Sequence, residues 1–153
     1  MMIAPIKATW ESFVGPMLQR PKRLQVAALC HRGEGEGKEY LLVTSRETAR
    51  WIIPKGWPIR GLSLNESALV EAWEEAGVRT GDAASEPIGA YSYQKRQDAG
   101  WEIPVKTLVY SVAVKDLSEE FPEAEQRERK WVDAKAAAEL VDETELKSIL
   151  RKQ

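Results

Sequence analysis

The stretch GWPIRGLSLNESALVEAWEEAGV, residues 56–78, contains a helix with its own start and stop signals. Ser63 with Glu66 three residues on spells a capping box, and Gly77 suits the left-handed position beyond the last turn. The spacing predicts a helix over Leu64–Ala76. Ala68, Leu69, Ala72, Trp73 and Ala76 recur at helical spacing and make one apolar stripe for a core. Ahead of the helix, Pro54 ends a short strand at Trp51–Ile53, and the segment from Pro54 to Gly61, rich in Pro and Gly, reads as a loop.

The same helix carries Glu71, Glu74 and Glu75 at i, i+3 and i+4, a sector about 100° wide at the helical pitch. Like charges at these spacings repel by roughly a few tenths of a kcal/mol per pair, and the helix dipole disfavours anions in the last turn. The only cation in sequence reach is Arg79, beyond Gly77. Local stability does not choose three carboxylates here. A divalent cation would remove the repulsion, since Mg²⁺ takes oxygen ligands from carboxylates, water and substrate phosphates. Gly56 allows close backbone approach and offers its carbonyl, and Lys55 is placed to face phosphate.

Outward from this stretch, Arg23–His31 and Glu39–Thr44 are apolar runs of strand length joined by the Gly-rich turn Gly33 to Gly37. After the helix come strands near Ile88–Tyr93, Thr107–Val114 and Arg129–Val132, then Ala-rich helical segments between Ala134 and Leu150. Strands and helices mix without regular alternation, so the expected fold is α/β of the α+β kind, a mixed sheet packed between helices.

The chain has 153 residues, 43% apolar and 30% charged, with 22 Lys+Arg against 24 Asp+Glu. Such a balance fits neither disorder nor a nucleic-acid binder with a large basic excess. Residues 20–153 are expected to form one domain, with 1–19 an N-terminal extension. Trp10, Phe13 and Met17, spaced by three and four, suit packing on the domain or on a second subunit of a homodimer. No apolar run approaches the roughly 20 residues that cross a bilayer, and Pro5 and Lys7 interrupt the start too early for a secretory signal. The expected setting is cytoplasmic. Cys30 is the only cysteine and His31 the only histidine; they read as ordinary strand residues rather than a zinc site.

Residues 56–78 resemble the Nudix box, G-x5-E-x7-R-E-U-x-E-E-x-G-U, where U is a bulky apolar residue. Gly56, Glu71, Glu74, Glu75, Gly77 and Val78 stand in register without gaps, with Ala72 a small residue at an apolar position. Leu62 replaces the early Glu and Val70 the Arg. The joint loss reads as a compensated variant in which an apolar contact replaces an ionic link. Trp51 to Gly56, Glu75 to Val78, and Arg129-Lys130-Trp131 ahead of Ala134–Leu140 resemble the subgroup that includes diphosphoinositol polyphosphate phosphohydrolases.

The resemblance implies an α/β/α sandwich and hydrolysis of a phosphoanhydride in a diphosphate linked to another moiety, with Mg²⁺ or Mn²⁺ held by Glu71, Glu74, Glu75 and the Gly56 carbonyl. Diphosphoinositol polyphosphates and dinucleoside polyphosphates are the substrate classes it brings forward. The catalytic base is either a box glutamate or one of Glu119, Glu120, Glu123, Glu125 and Glu128 in a later loop. Arg23, Arg50, Lys55 and Arg60 are the candidates for phosphate contact, with Arg20, Lys22, Arg46, Lys95, Arg96 and Lys106 behind them. Trp57 and Trp101 are the tryptophans left free of core and strand packing. Two other classes compete: a Nudix-fold module that binds a nucleotide-like ligand without turnover, and an interaction protein whose acidic face meets a basic partner.

Overall fold

Val26, Ala28 and Cys30 are fully buried on one side of a strand, and Ala27 and Leu29 on the other. A strand apolar on both faces belongs inside a covered sheet. The computed structural model describes residues 23–153. The segment 1–19, with Trp10, Phe13 and Met17, and the cations Arg20 and Lys22 lie outside the described residues.

Strand β1 (Arg23–Arg32) turns through Gly33 to Gly37 into β2 (Glu39–Thr44), and the two pair antiparallel at His31 opposite Tyr40. Away from the turn they part, and the segment 51–56 fills the opening. Within it β3 (Trp51–Ile52) pairs with β2, while β4 (Lys55–Gly56) pairs with β1, Gly56 opposite Val26 and Lys55 opposite Ala27. The Ala28 N–H, donating to the Pro54 carbonyl at 2.9 Å, continues the seam.

On its other side β1 pairs in parallel with the long strand β7 (Glu102–Leu117), from Arg23 opposite Val105 to His31 opposite Ala113. The far edge of β7 is shared by β5 (Val78–Ala83) and β6 (Gly89–Arg96), both antiparallel, and β8 (Arg129–Val132) pairs with β2. One parallel pair among antiparallel ones makes the mixed sheet that was expected. Helix α1 (Leu64–Ala76) covers the Val26, Ala28 and Leu41 face; α2 (Ala134–Leu140) and α3 (Thr144–Arg151) cover the Leu29, Tyr40 and Leu42 face. No helix among the described residues is long and apolar enough to cross a membrane.

Helix α1 has the predicted bounds. The Glu66 N–H donates to Ser63 Oγ at 3.3 Å, the Ser63 N–H donates to Glu66 Oε1 at 2.8 Å, and Gly77 closes the helix at φ 76°. Ala68, Ala72 and Ala76 face the sheet fully buried, whereas Leu69 and Trp73 are half-buried at the flank; small side chains let the helix sit close. Cys30 is buried, and burial pushes its thiol up to about 12, so it is inert.

Three expectations needed correction. The loop after Pro54 contains β4, β7 runs well beyond Thr107–Val114, and β5 was not foreseen. Strand β5 is an edge strand with two register shifts and a Gly at its centre, so it lacks the alternation that marks a strand in sequence.

Gly77→Ala is expected to destabilise the protein by about 1–2 kcal/mol from the left-handed backbone alone, and by more because a Cβ there would press on Arg129, Phe121 and the Ser118 carbonyl. Ser63→Ala, which removes the cap and the Ser63 Oγ hydrogen bond to Asn65, should cost about 1 kcal/mol. Urea unfolding at equilibrium measures both, and equal losses would contradict this account.

Candidate active site

Strand β4 and helix α1 meet at the carboxylates. Glu75 is buried, with Oε1 accepting from the Lys55 N–H at 3.2 Å and Oε2 lying 3.4 Å from Arg127 Nη2. Glu71 packs against the backbone of Gly56 so closely that a Cβ at residue 56 would overlap its carboxyl. A side chain at 56 would therefore displace the Glu71 carboxyl from its present place.

Burial, then the charges of Glu75 and Glu74, raise Glu71 to about 8, and it shares a hydrogen bond with Glu75. Burial also raises Glu75, outweighing Arg127 and the Lys55 N–H, which act the other way. Two carboxyls are thus forced into one partly dry place, which favours the protonated form of Glu71. Among the described residues no three His, Cys, Asp or Glu side chains are gathered around one point. The donors are nonetheless all oxygen, the set that hard divalent ions take, and a cation there would relieve the crowding of Glu71 and Glu75.

Of the five later glutamates only Glu123 reaches this place. Its N–H donates to the Glu74 carbonyl at 3.0 Å, its carboxylate accepts from Arg127 Nε at 2.7 Å, and its charge is felt at both Glu71 and Glu75. Glu119, Glu120, Glu125 and Glu128 are exposed. Arg79, the one cation foreseen near the helix end, instead pairs with Asp116 at 3.4 Å and donates to Ser118 Oγ at 3.2 Å. The cation at Glu75 is Arg127, which no local spacing in the sequence marks. Leu62, expected to form an apolar link with Val70, is 40% exposed, Val70 is half-buried, and neither is among the residues packed on the α1-face core.

Beside the carboxylates lies an open cavity of about 320 Å³, lined by Arg46, Arg50, Lys55, Lys95, Arg96 and Arg127, with Glu47 the one acid. Lys55 and Arg127 wall it and also touch Glu75. Burial lowers the Lys55 ammonium, which sits 5.2 Å over the Tyr93 ring. Arg50 donates to Glu143 Oε2 at 2.9 Å and so is partly neutralised. Arg23, Arg60 and Lys106 are exposed and do not line the cavity, because β1 and β7 carry Arg23 and Lys106 elsewhere and Arg60 projects from the loop before α1. Trp57 and Trp101 are exposed, as expected, at 40% and 54%.

Residues 21–153 match the family model described as the NUDIX domain. The chain belongs to the Nudix family. It is 31% identical over 133 residues to Nudix hydrolase 4 of Arabidopsis thaliana, covering 87% of this chain and 60% of the relative. It is 27% identical over 119 residues to diphosphoinositol polyphosphate phosphohydrolase 2 of Homo sapiens, covering 76% of this chain and 61% of the relative. The chain thus spans about three-fifths of the length of these relatives. Among solved structures it is similar to the Ap4A hydrolase of C. elegans, with a TM-score of 0.59 at 20% identity over 86% of this chain and 96% of that one. At that identity the likeness speaks for the Nudix fold alone.

A carboxyl that keeps its proton in the folded chain to about pH 8 but loses it near 4.5 when unfolded makes the folded state bind more protons across that window. Stability then falls as pH rises through it. With divalent ions removed by a chelator, the melting temperature is expected to fall between about pH 5 and pH 8, and Glu71→Gln should flatten the slope. An unchanged slope in the variant would assign the effect to other groups.

Proposed function

We propose that this protein hydrolyses a phosphoanhydride in a diphosphate linked to another moiety, with a divalent cation, Mg²⁺ or Mn²⁺, at the carboxylates of α1. The observation that carries the reading is the adjacency of two opposite fields: crowded carboxyls of Glu71 and Glu75 on one side of Lys55 and Arg127, and a cationic cavity on the other. The phosphate chain of a substrate fits the second field, and the ion that escorts it fits the first.

When bound, the cation supplies charge neutralisation at phosphate and a more acidic water. Glu71, Glu74, Glu75 and the Gly56 carbonyl are the residues that would hold it. Lys55, Arg46, Lys95 and Arg96 bind the phosphates and keep them oriented at the mouth of the carboxylate site. Arg50, tied to Glu143, stiffens the wall beside Lys55. Glu123 is the later-loop carboxylate placed to accept a proton; Glu71 and Glu75 are its rivals for that role. Five cavity cations besides Arg127 suit an anion-rich substrate, and diphosphoinositol polyphosphates or dinucleoside polyphosphates are the classes we put first. We place the reaction in the cytoplasm, whose reducing poise suits a lone unpaired thiol at Cys30.

A second reading has its own observation. Leu62 stands exposed and Val70 brings no charge to the helix, a departure from the box that suits a module binding a nucleotide-like ligand without turnover.

Phosphate or nucleotide release with Mg²⁺ or Mn²⁺ separates these readings over a panel of diphosphoinositol polyphosphates, dinucleoside polyphosphates, ADP-ribose and nucleoside triphosphates. The hydrolase reading expects activity on an anion-rich member, reduced by at least about 100-fold in Glu75→Gln, and a KM raised by Lys95→Glu. Silence across the panel, with a ligand still raising the melting temperature, supports the binding module; silence without any ligand effect removes both.

A further inference from the structure

Arg127 ties the carboxylates of α1 to the sheet. Its side chain is only 6% exposed, and its guanidinium is engaged in three directions. Nε donates to Glu123 Oε1 at 2.7 Å, Nη1 donates to the Thr44 carbonyl at 2.8 Å, and Nη2 lies 3.4 Å from Glu75 Oε2. A planar fork serves three such partners at once; an ammonium on a flexible stem does not.

The footing of this arginine is rigid. The Thr44 N–H donates to the Glu128 carbonyl at 3.0 Å, the Glu128 N–H donates to Thr44 Oγ1 at 2.9 Å, and β8 pairs on from Arg129 opposite Val43. The guanidinium therefore stands on the sheet and reaches across to the helix. Glu75 is held at both oxygens, by the Lys55 N–H on one and Arg127 on the other. Glu123, fixed through its N–H on the Glu74 carbonyl, meets the same guanidinium from a different element. Helix α1 has no basic residue in its last turn, so nothing on the helix itself performs this task.

We infer that Arg127 is a positioning residue of the site: by fixing Glu75 and Glu123 around one guanidinium it sets the carboxylate geometry that a divalent cation meets. The inference rests on the reading of Glu75 as a ligand in the proposed hydrolase. Arg129, from the same segment, provides the comparison. Its Nη1 donates to the Ala76 carbonyl at 2.6 Å and its Nη2 lies 3.1 Å from Glu119, a carboxylate 97% exposed. It closes the end of α1 without an ion pair to Glu71, Glu74, Glu75 or Glu123.

The test uses the full chain and three readouts: Mn²⁺ affinity from the resonance signal of the free ion, melting temperature in chelator, and kcat with KM on the substrate found above. Arg127→Gln is expected to weaken Mn²⁺ binding about 10- to 100-fold and to lower kcat more than it raises KM. Arg127→Lys keeps the charge and guards against a glutamine variant that does not fold; it should bind Mn²⁺ about tenfold more weakly than the parent protein. Arg129→Gln should lower the melting temperature and leave Mn²⁺ affinity unchanged. Parental Mn²⁺ affinity in a folded Arg127 variant, or an equal loss in Arg129→Gln, would overturn the inference. A parent protein that neither binds Mn²⁺ nor cleaves any member of the panel would overturn the hydrolase reading itself, and this one with it.

Discussion

The pairing of Lys55 and Gly56 with Ala27 and Val26 is the constraint on which the rest of this molecule depends. By occupying the opening between β1 and β2, a few residues of backbone become part of the sheet rather than a loop above it. That placement gives the Lys55 N–H to Glu75, presses Gly56 against Glu71, and leaves the Lys55 side chain beside the cavity. It also sets where α1 begins its return across the sheet. A site built on sheet backbone holds its geometry better than one built on a free loop.

How much of this could be read from the chain alone depended on the range of the interaction. Helix α1 was legible to the residue because its signals are local: Ser63 and Glu66 cap one end, Gly77 closes the other, and the alanines recur at the helical period. Strands β1 and β2 were legible because residues 26–30 and 40–43 are apolar runs buried on both faces. The two-residue strand β4 has no period to show, and β5 sits bulged at an edge where burial imposes little pattern. Arg127 was invisible for a different reason. Its partners come from β2, α1 and the Glu123 loop, and no short-range spacing records a contact made across the sheet. Among the proposed phosphate contacts, Arg50 and Lys55 line the cavity because the segment they flank is locked into the sheet, whereas Arg23 and Arg60 share their charge but not that placement.

The electrostatic layout follows from the same architecture. Lys55 and Arg127 form a cationic partition, with carboxylates on one side and open cationic walls on the other. Each of the two does double duty: the backbone of Lys55 and the guanidinium of Arg127 face the acids, while both line the cavity. Arg127 spans the two fields, paired with Glu75 and Glu123 while it lines the cavity, an arrangement expected at a functional site.

The hairpin of β6 and β7 gives the cavity one of its walls, and its ladder runs unbroken to Arg96 opposite Glu102 before the turn closed by Gln97 and Gly100. Strand geometry makes this wall an adjustable arm. Two residues added to each strand near the tip would lengthen it and keep Lys95 on the same face as Tyr93; one residue added between them would turn Lys95 to the opposite face. The reach of this wall can therefore change with the length of the hairpin while the carboxylate site, anchored on β4 and α1, stays where it is.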